Sequence, residues 1–176
     1  MACTLTTGRK LPCKTGFGGV KKVYFADFGT LGTVTVDADG TISAFSGSPA
    51  WFQFDVKGNS SLESTINSSR ENGTTFFAQT LNLTLPFLDN ATQQELQLLA
   101  VSRPHLVVED YLGNQFLCGL ENGVECTGGT VVTGAAAADL YGFTIVFEGQ
   151  EEKAPAFVDA GVISASATQI TPNSCS

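Results

Sequence analysis

Charged residues are scarce in this sequence. Asp, Glu, Lys and Arg make up 15% of its 176 residues, against about 25% in an ordinary soluble domain. Histidine occurs once, at His105, so multi-histidine metal centres are ruled out and imidazole acid–base chemistry rests on one residue. That residue follows Pro104 at the start of a strand-like run and reads as a half-exposed strand-end histidine rather than a general base. G-x-S-x-G, H-E-x-x-H and G-x-x-x-x-G-K-[ST] do not occur, which removes the commonest hydrolase, zinc-protease and phosphate-loop signatures. Gly16-Phe17-Gly18-Gly19 reads as a flexible turn. The acid pairs Glu109-Asp110 and Glu151-Glu152 are sequence neighbours, which a strand sends to opposite faces, so neither makes a ready dyad. The expectation is a protein that is not an enzyme and uses no cofactor or metal.

Five cysteines occur, Cys3, Cys13, Cys118, Cys126 and Cys175, with no C-x-x-C spacing. An odd number without a secretory leader argues against a disulfide framework, and Cys118 and Cys126 read as small buried or half-buried thiols. No apolar run approaches 18 residues, so no transmembrane helix is expected. Met1–Leu5 opens no long apolar stretch, and the expected place of folding is a cytoplasm. The sequons at Asn59, Asn67, Asn72, Asn82 and Asn90 therefore read as an Asn/Ser/Thr-rich polar face rather than glycosylation sites.

Cations are the scarcer charge, nine against 17 acids, and a dedicated nucleic-acid binder needs them clustered. Five of the nine, Arg9, Lys10, Lys14, Lys21 and Lys22, fall in the first 22 residues, where no acid occurs. A basic leader (1–19) on an acidic body suggests head-to-tail contact between copies. A solvated arm without a partner is the alternative.

What is abundant is Thr, Val, Phe and Gly, with turn signals about every ten residues, the pattern of a mainly β domain. The length suits one domain over 1–176, with a low-information C-terminal tail at 159–176. Val20–Phe28 predicts a first strand with Val23, Phe25 and Ala26 as inward candidates. Thr33–Val36 and Thr41–Phe45 flank Asp37-Ala38-Asp39-Gly40, a hairpin turn with glycine at the position that tolerates positive φ. One helix is expected, capped by Asp89 or Asn90, with a capping box at Thr92–Glu95 and a stop at Pro104. Leu96, Leu99 and Ala100 form its apolar stripe, with Leu98 and Val101 beside it. Strands follow around 105–110, 115–120, 124–134 and 141–148.

Residues 51–86 are the most informative. Phe52, Phe54 and Val56 alternate with Gln53, Asp55 and Lys57; Leu62, Ser64 and Ile66 alternate with Glu63, Thr65 and Asn67. After a turn at 67–73 the run Thr74–Leu85 puts Phe77, Gln79, Leu81, Leu83 and Leu85 on one face and Phe76, Ala78, Thr80, Asn82 and Thr84 on the other. The reversed assignment stays open on this strand, where Phe76 sits among polar residues and Gln79 among apolar ones. A long hairpin with few charges and no proline inside its ladder has edges that a soluble monomer would blunt. It is expected either to pair with other copies or to be covered by strands of its own chain.

The order of these features resembles a bacteriophage tail tube protein over roughly residues 8–157. It runs from Gly8–Lys14 through Gly18-Gly19-Val20, Val23-Tyr24-Phe25, Asn72-Gly73-Thr74, Gln79-Thr80-Leu81 and Gln94-Glu95-Leu96. It continues through Val107–Asp110, Gly113-Asn114, Gly134 and Asp139–Thr144 to Glu151 and Pro155-Ala156-Phe157. The resemblance implies a β-sandwich or barrel with a long hairpin and one short flanking helix. It implies six copies in a ring, with the hairpins joined into an inner barrel and rings stacked into a tube that passes genomic DNA. The lumen would be neutral or negative, lined by Gln53, Asp55, Glu63, Thr65, Asn67, Thr80, Asn82 and Thr84, with Lys57 and Arg70 at its rim or paired with neighbouring acids. Arg9, Lys10, Lys14, Lys21 and Lys22 would dock between rings. Implied partners are other copies of the chain, sheath or terminator, tape-measure and baseplate proteins, and duplex DNA in passage, without membrane insertion. The implied place is the virion tail, assembled in the host cytoplasm. Two other readings stay open: another virion β-protein (capsid decoration, head–tail adaptor or fibre component), and a carbohydrate-binding β-sandwich with Trp51 as an aromatic platform.

Overall fold

The computed structural model describes residues 5–56, 58–165 and 170. Cys3, Cys175, Lys57 and most of the tail beyond Ala165 lie outside the described residues. The chain is mainly β, with two sheets and one helix. Its strands are β1 (Val20–Ala26), β2 (Val34–Val36), β3 (Ile42–Phe45), β4 (Phe52–Asp55), β5 (Ser61–Ser69), β6 (Thr74–Pro86), β7 (His105–Asp110), β8 (Gln115–Cys118), β9 (Glu125–Val132), β10 (Gly142–Glu151) and β11 (Ala156–Val158), with α1 (Asn90–Val101) between β6 and β7. The larger sheet has the order β2-β3-β11-β8-β7-β1-β4, the smaller β5-β6-β10-β9. The sheets are open rather than closed into a barrel, so the sandwich half of the expectation holds.

Burial explains which strands alternate. β1 and β7 lie inside the larger sheet and are covered on both faces. Val23, Phe25, Leu106 and Val108 enter one core; Tyr24, Ala26 and Val107 enter another. Both sets therefore read as unbroken apolar runs. β6 is covered on one face only, and Gln79, Leu81, Leu83 and Leu85 are buried there while Thr80, Asn82 and Thr84 are not. The first core fills the space between the sheets, where Phe25 meets Phe147 at 5.1 Å and Phe54 at 5.4 Å between ring centroids. The second covers the far face of the larger sheet with Leu31, Ile42, Trp51, Val158 and Ile163. Trp51 is thus 2% exposed, beside Phe45, and offers no open platform.

The β2–β3 turn forms as expected, with the Gly40 amide donating to Asp37 O at 3.0 Å. The helix begins at Asp89, whose carboxylate accepts the Thr92 amide at 3.1 Å. Asp89 and Thr92 therefore form the cap, not Thr92 and Glu95. Leu96 is buried and Leu99 packs on the first core, whereas Leu98 and Val101 are exposed. The run expected around 124–134 is the single strand β9, Glu125–Val132.

The main correction concerns residues 51–57. β4 does not extend the hairpin. It pairs with β1 at the edge of the larger sheet, with Lys22 opposite Asp55 and Tyr24 opposite Gln53. Gly58 and Asn59, both at positive φ (71° and 49°), turn the chain from one sheet to the other. The hairpin is β5–β6 alone, closed through Gly73 at φ 64°.

Candidate assembly surface

The outer face of the smaller sheet is built by register. Glu63 lies opposite Thr80, Thr65 opposite Ala78, Asn67 opposite Phe76 and Ser61 opposite Asn82. β10 continues the same face: Thr84, Asn82, Thr80 and Ala78 face Thr144, Val146, Glu148 and Gln150. β9 completes it with Thr130 opposite Thr144 and Glu125 opposite Glu148. Six of the eight expected lining residues therefore share one surface: Glu63, Thr65, Asn67, Thr80, Asn82 and Thr84. Gln53 and Asp55 do not. Their side chains, bonded to each other at 2.8 Å, lie on the far side of the larger sheet, with Tyr24 and Lys22. Arg70 sits in the β5–β6 turn, at the rim.

The sequence reading missed the β9 and β10 contributions. Alternation in 143–148 already separates Phe143, Ile145 and Phe147 from Thr144, Val146 and Glu148; what was missing was the β10–β6 pairing. Glu63, Glu125 and Glu148 are acids on this face, and the four strands contain no Lys or Arg. Glu125 directly opposite Glu148 is a like-charge pair, which destabilises a sheet. The surface retains it all the same.

The hairpin is not free on both sides. β6 is paired with β10 along its length, and in this sheet the outer edges of β5 and β9 have no strand partner among the described residues. Strand edges without partners are templates for another chain.

Gln79 explains itself as a brace. It is buried, its Oε1 accepting the Gly119 amide at 3.0 Å and its Nε2 donating to Lys153 O at 3.3 Å. Glu151 Oε1 accepts the Glu121 and Asn122 amides at 3.1 and 2.8 Å. Burial raises its pKa above the ordinary value, and those two amides partly offset the rise. His105 is buried, not half-exposed as expected. Its Nε2 accepts the Gly29 amide at 3.0 Å, Nδ1 lies 2.7 Å from Gly119 O, and the ring stacks on Phe28, which also carries the Arg103 guanidinium at 4.4 Å. With Nε2 accepting, Nδ1 donates and the imidazole is neutral. These contacts make His105 a structural link between loops rather than a base facing solvent.

Burial lowers the His105 pKa below its ordinary value of 6.5. The unfolded chain therefore binds more protons in that window. The stability His105 contributes is present above about pH 6.5 and is lost as pH falls through the folded value. Glu151, raised, works in the opposite sense, its share being lost as pH rises through its folded value. The urea midpoint is expected to drop between pH 7.5 and pH 5, and His105→Asn is expected to flatten that drop. An undiminished drop in the variant would assign the titration elsewhere.

The basic residues divide. Lys21 pairs with Glu109 at 3.8 Å, and Glu109 also accepts from Tyr24 Oη at 3.1 Å and Gln115 Nε2 at 3.2 Å. Burial, with Glu109 beside it, pushes the Tyr24 phenol up to about 12. Lys22 lies across from Asp55 inside the sheet. Both therefore belong to the body, leaving Arg9, Lys10 and Lys14 on an exposed arm without regular structure. Cys118 is buried, which raises its thiol to about 12, and Cys126 is half-buried. No helix among the described residues is long and apolar enough to cross a membrane. No family model matches the chain, and no curated protein or solved structure shows significant similarity to it.

Proposed function

We propose that the chain is a structural, self-assembling subunit of a phage-type tail tube, forming stacked rings through which duplex DNA passes. One observation carries the reading: a four-stranded sheet whose outer face holds three acids and no cation, and whose two outer edges, β5 and β9, are unpartnered among the described residues. Joining β5 of one copy to β9 of the next leaves no edge on that sheet and closes a ring when the rotation permits. An acidic and neutral lining repels phosphate, so a duplex slides without sticking. Hexamers, the other tail proteins as partners, the virion tail as location and assembly in the host cytoplasm come with this reading through the resemblance.

A second reading, a virion decoration or adaptor protein, draws on the pairing of β6 with β10 inside one chain. That pairing removes one of the edges the hairpin was expected to offer.

Negative-stain electron microscopy at high protein concentration tests the proposal, together with amide hydrogen exchange on monomer and assembly. Hollow rings or tubes, with β5 and β9 edge amides protected only in the assembly, are expected. Particles without a central hole, or β5 and β9 exchange unchanged on assembly, would overturn it.

A further inference from the structure

We propose that the groove between β4 and α1 receives the N-terminal arm of a second copy of this chain. The inference rests on the self-assembly reading and names where one contact is made. The groove, of about 310 Å³, is walled by Phe52, Phe54, Phe87 and Leu99, with Asp55 and Glu95 among its lining residues. Ile170 closes part of one side. Phe52 and Phe87 are 42% and 48% exposed, and Asp55 and Glu95 are exposed. Phe87 stands at φ 79°, a conformation that a bulky side chain adopts only under strain. Its amide donates to Tyr141 O at 2.6 Å, and its ring meets Tyr141 edge-on at 5.7 Å. The fold thus holds an aromatic ring open at the surface against a backbone penalty.

The arm has the complementary chemistry. Leu5 and Leu11 are 99% and 97% exposed, flanking Arg9 and Lys10 and followed by Lys14. Leucines this exposed stabilise nothing in the isolated chain, and burying one is worth roughly 1.5–3 kcal/mol in general. A leucine seated among the phenylalanines brings Arg9, Lys10 or Lys14 to Glu95, and the charge match favours this groove. A chain's own arm is aimed elsewhere. Phe17 packs edge-on against Tyr111 at 5.1 Å, just beyond β7. β7 lies on one side of β1 and β4 on the other, so the arm joins the body on the side of β1 away from its own groove.

Cys13, free and exposed, reports the docking. Isotopically heavy full-length chains carrying Glu95→Cys and Cys13→Ser are mixed with light wild-type chains, oxidised mildly and mapped by mass spectrometry. A disulfide between heavy position 95 and light Cys13 is expected, and it forms only between copies. Phe52→Cys, on the groove wall, gives a second receptor position. Val101→Cys, on an exposed part of α1 outside the groove, is expected to give none. Arg9→Glu with Lys10→Glu on the light chain is expected to abolish the link. In a companion chain that carries Glu95→Cys and keeps Cys13, a link found only within single chains overturns the second copy as occupant. Absence of the link, or equal linking at position 101, overturns the groove. Micrographs of the same samples separate the two readings: linked copies without rings would sink the tube and keep the groove, whereas tubes without the link would do the reverse.

Discussion

Replacing Glu63, Glu125 and Glu148 together by lysine is expected to turn a surface that ignores duplex DNA into one that holds it. The three lie on the outer face of the small sheet, with neutral side chains between them and no cation in the four strands. Three acids replaced by cations on each copy, repeated around a ring, present a continuous band of ammonium groups to phosphate. Affinity for duplex then follows counterion release, falling with salt at a log–log slope of about −0.9 per phosphate neutralised. A band engaging six to ten phosphates loses about 10³–10⁵ in affinity between 50 and 200 mM salt. Filter binding of assembled protein across that range is the measurement, with wild type expected to retain no DNA. The control is Asp27, Asp37 and Asp39, exposed in loops outside the four strands of this sheet, changed to lysine to match the net charge. Equal retention by the control would mean that total charge, not the lining face, governs passage. Strong retention by wild type would remove the physical basis of the tube proposal.

Alternation proved dependable where one face is covered and uninformative about partners. Leu81, Leu83 and Leu85 fixed the inward face of β6, and Gln79 belongs to that face because Gly119 and Lys153 satisfy its amide, so the reversed assignment falls. In 51–56 the same pattern gave the right faces and the wrong sheet. Phe52 and Phe54 alternate identically whichever sheet they join, and the choice is made by pairing with β1 and by the turn at Gly58-Asn59. That dipeptide was a turn signal available in the sequence. Glu125 was less accessible, because a register shift between Val146 and Phe147 sets which β9 residues face outward, and strict alternation does not foresee a bulge. The burial of His105 depends on the Gly29 and Gly119 loops meeting around it, contacts between segments 76 and 14 residues away that no local pattern contains.

Phe25→Ala is expected to lower stability by about 3–5 kcal/mol, the usual range for a phenylalanine removed from a packed core. Phe25 is 1% exposed and stands where the two sheets meet, its ring against Phe147 of β10 and Phe54 of β4. Its loss opens a cavity in the apolar layer between the small sheet and the large one, and neighbouring rings held by strand pairing cannot collapse far into it. For a chain of this length the melting temperature is expected to fall by roughly 6–20 °C. Phe157→Ala is the comparison. That ring is 51% exposed, contacts Phe116 of the neighbouring strand β8, and is expected to matter by less than about 1 kcal/mol. Thermal and urea unfolding of both variants supply the numbers. Near-equal effects would mean that the sheets do not pack on each other in solution as they do here. With the expected inequality, assembly becomes the informative readout. Phe25→Ala leaves the outer face and both free edges of the small sheet intact in sequence. If it still folds at low temperature yet forms no rings, the orientation of the small sheet on the large one, and not its edges alone, determines whether neighbouring copies join.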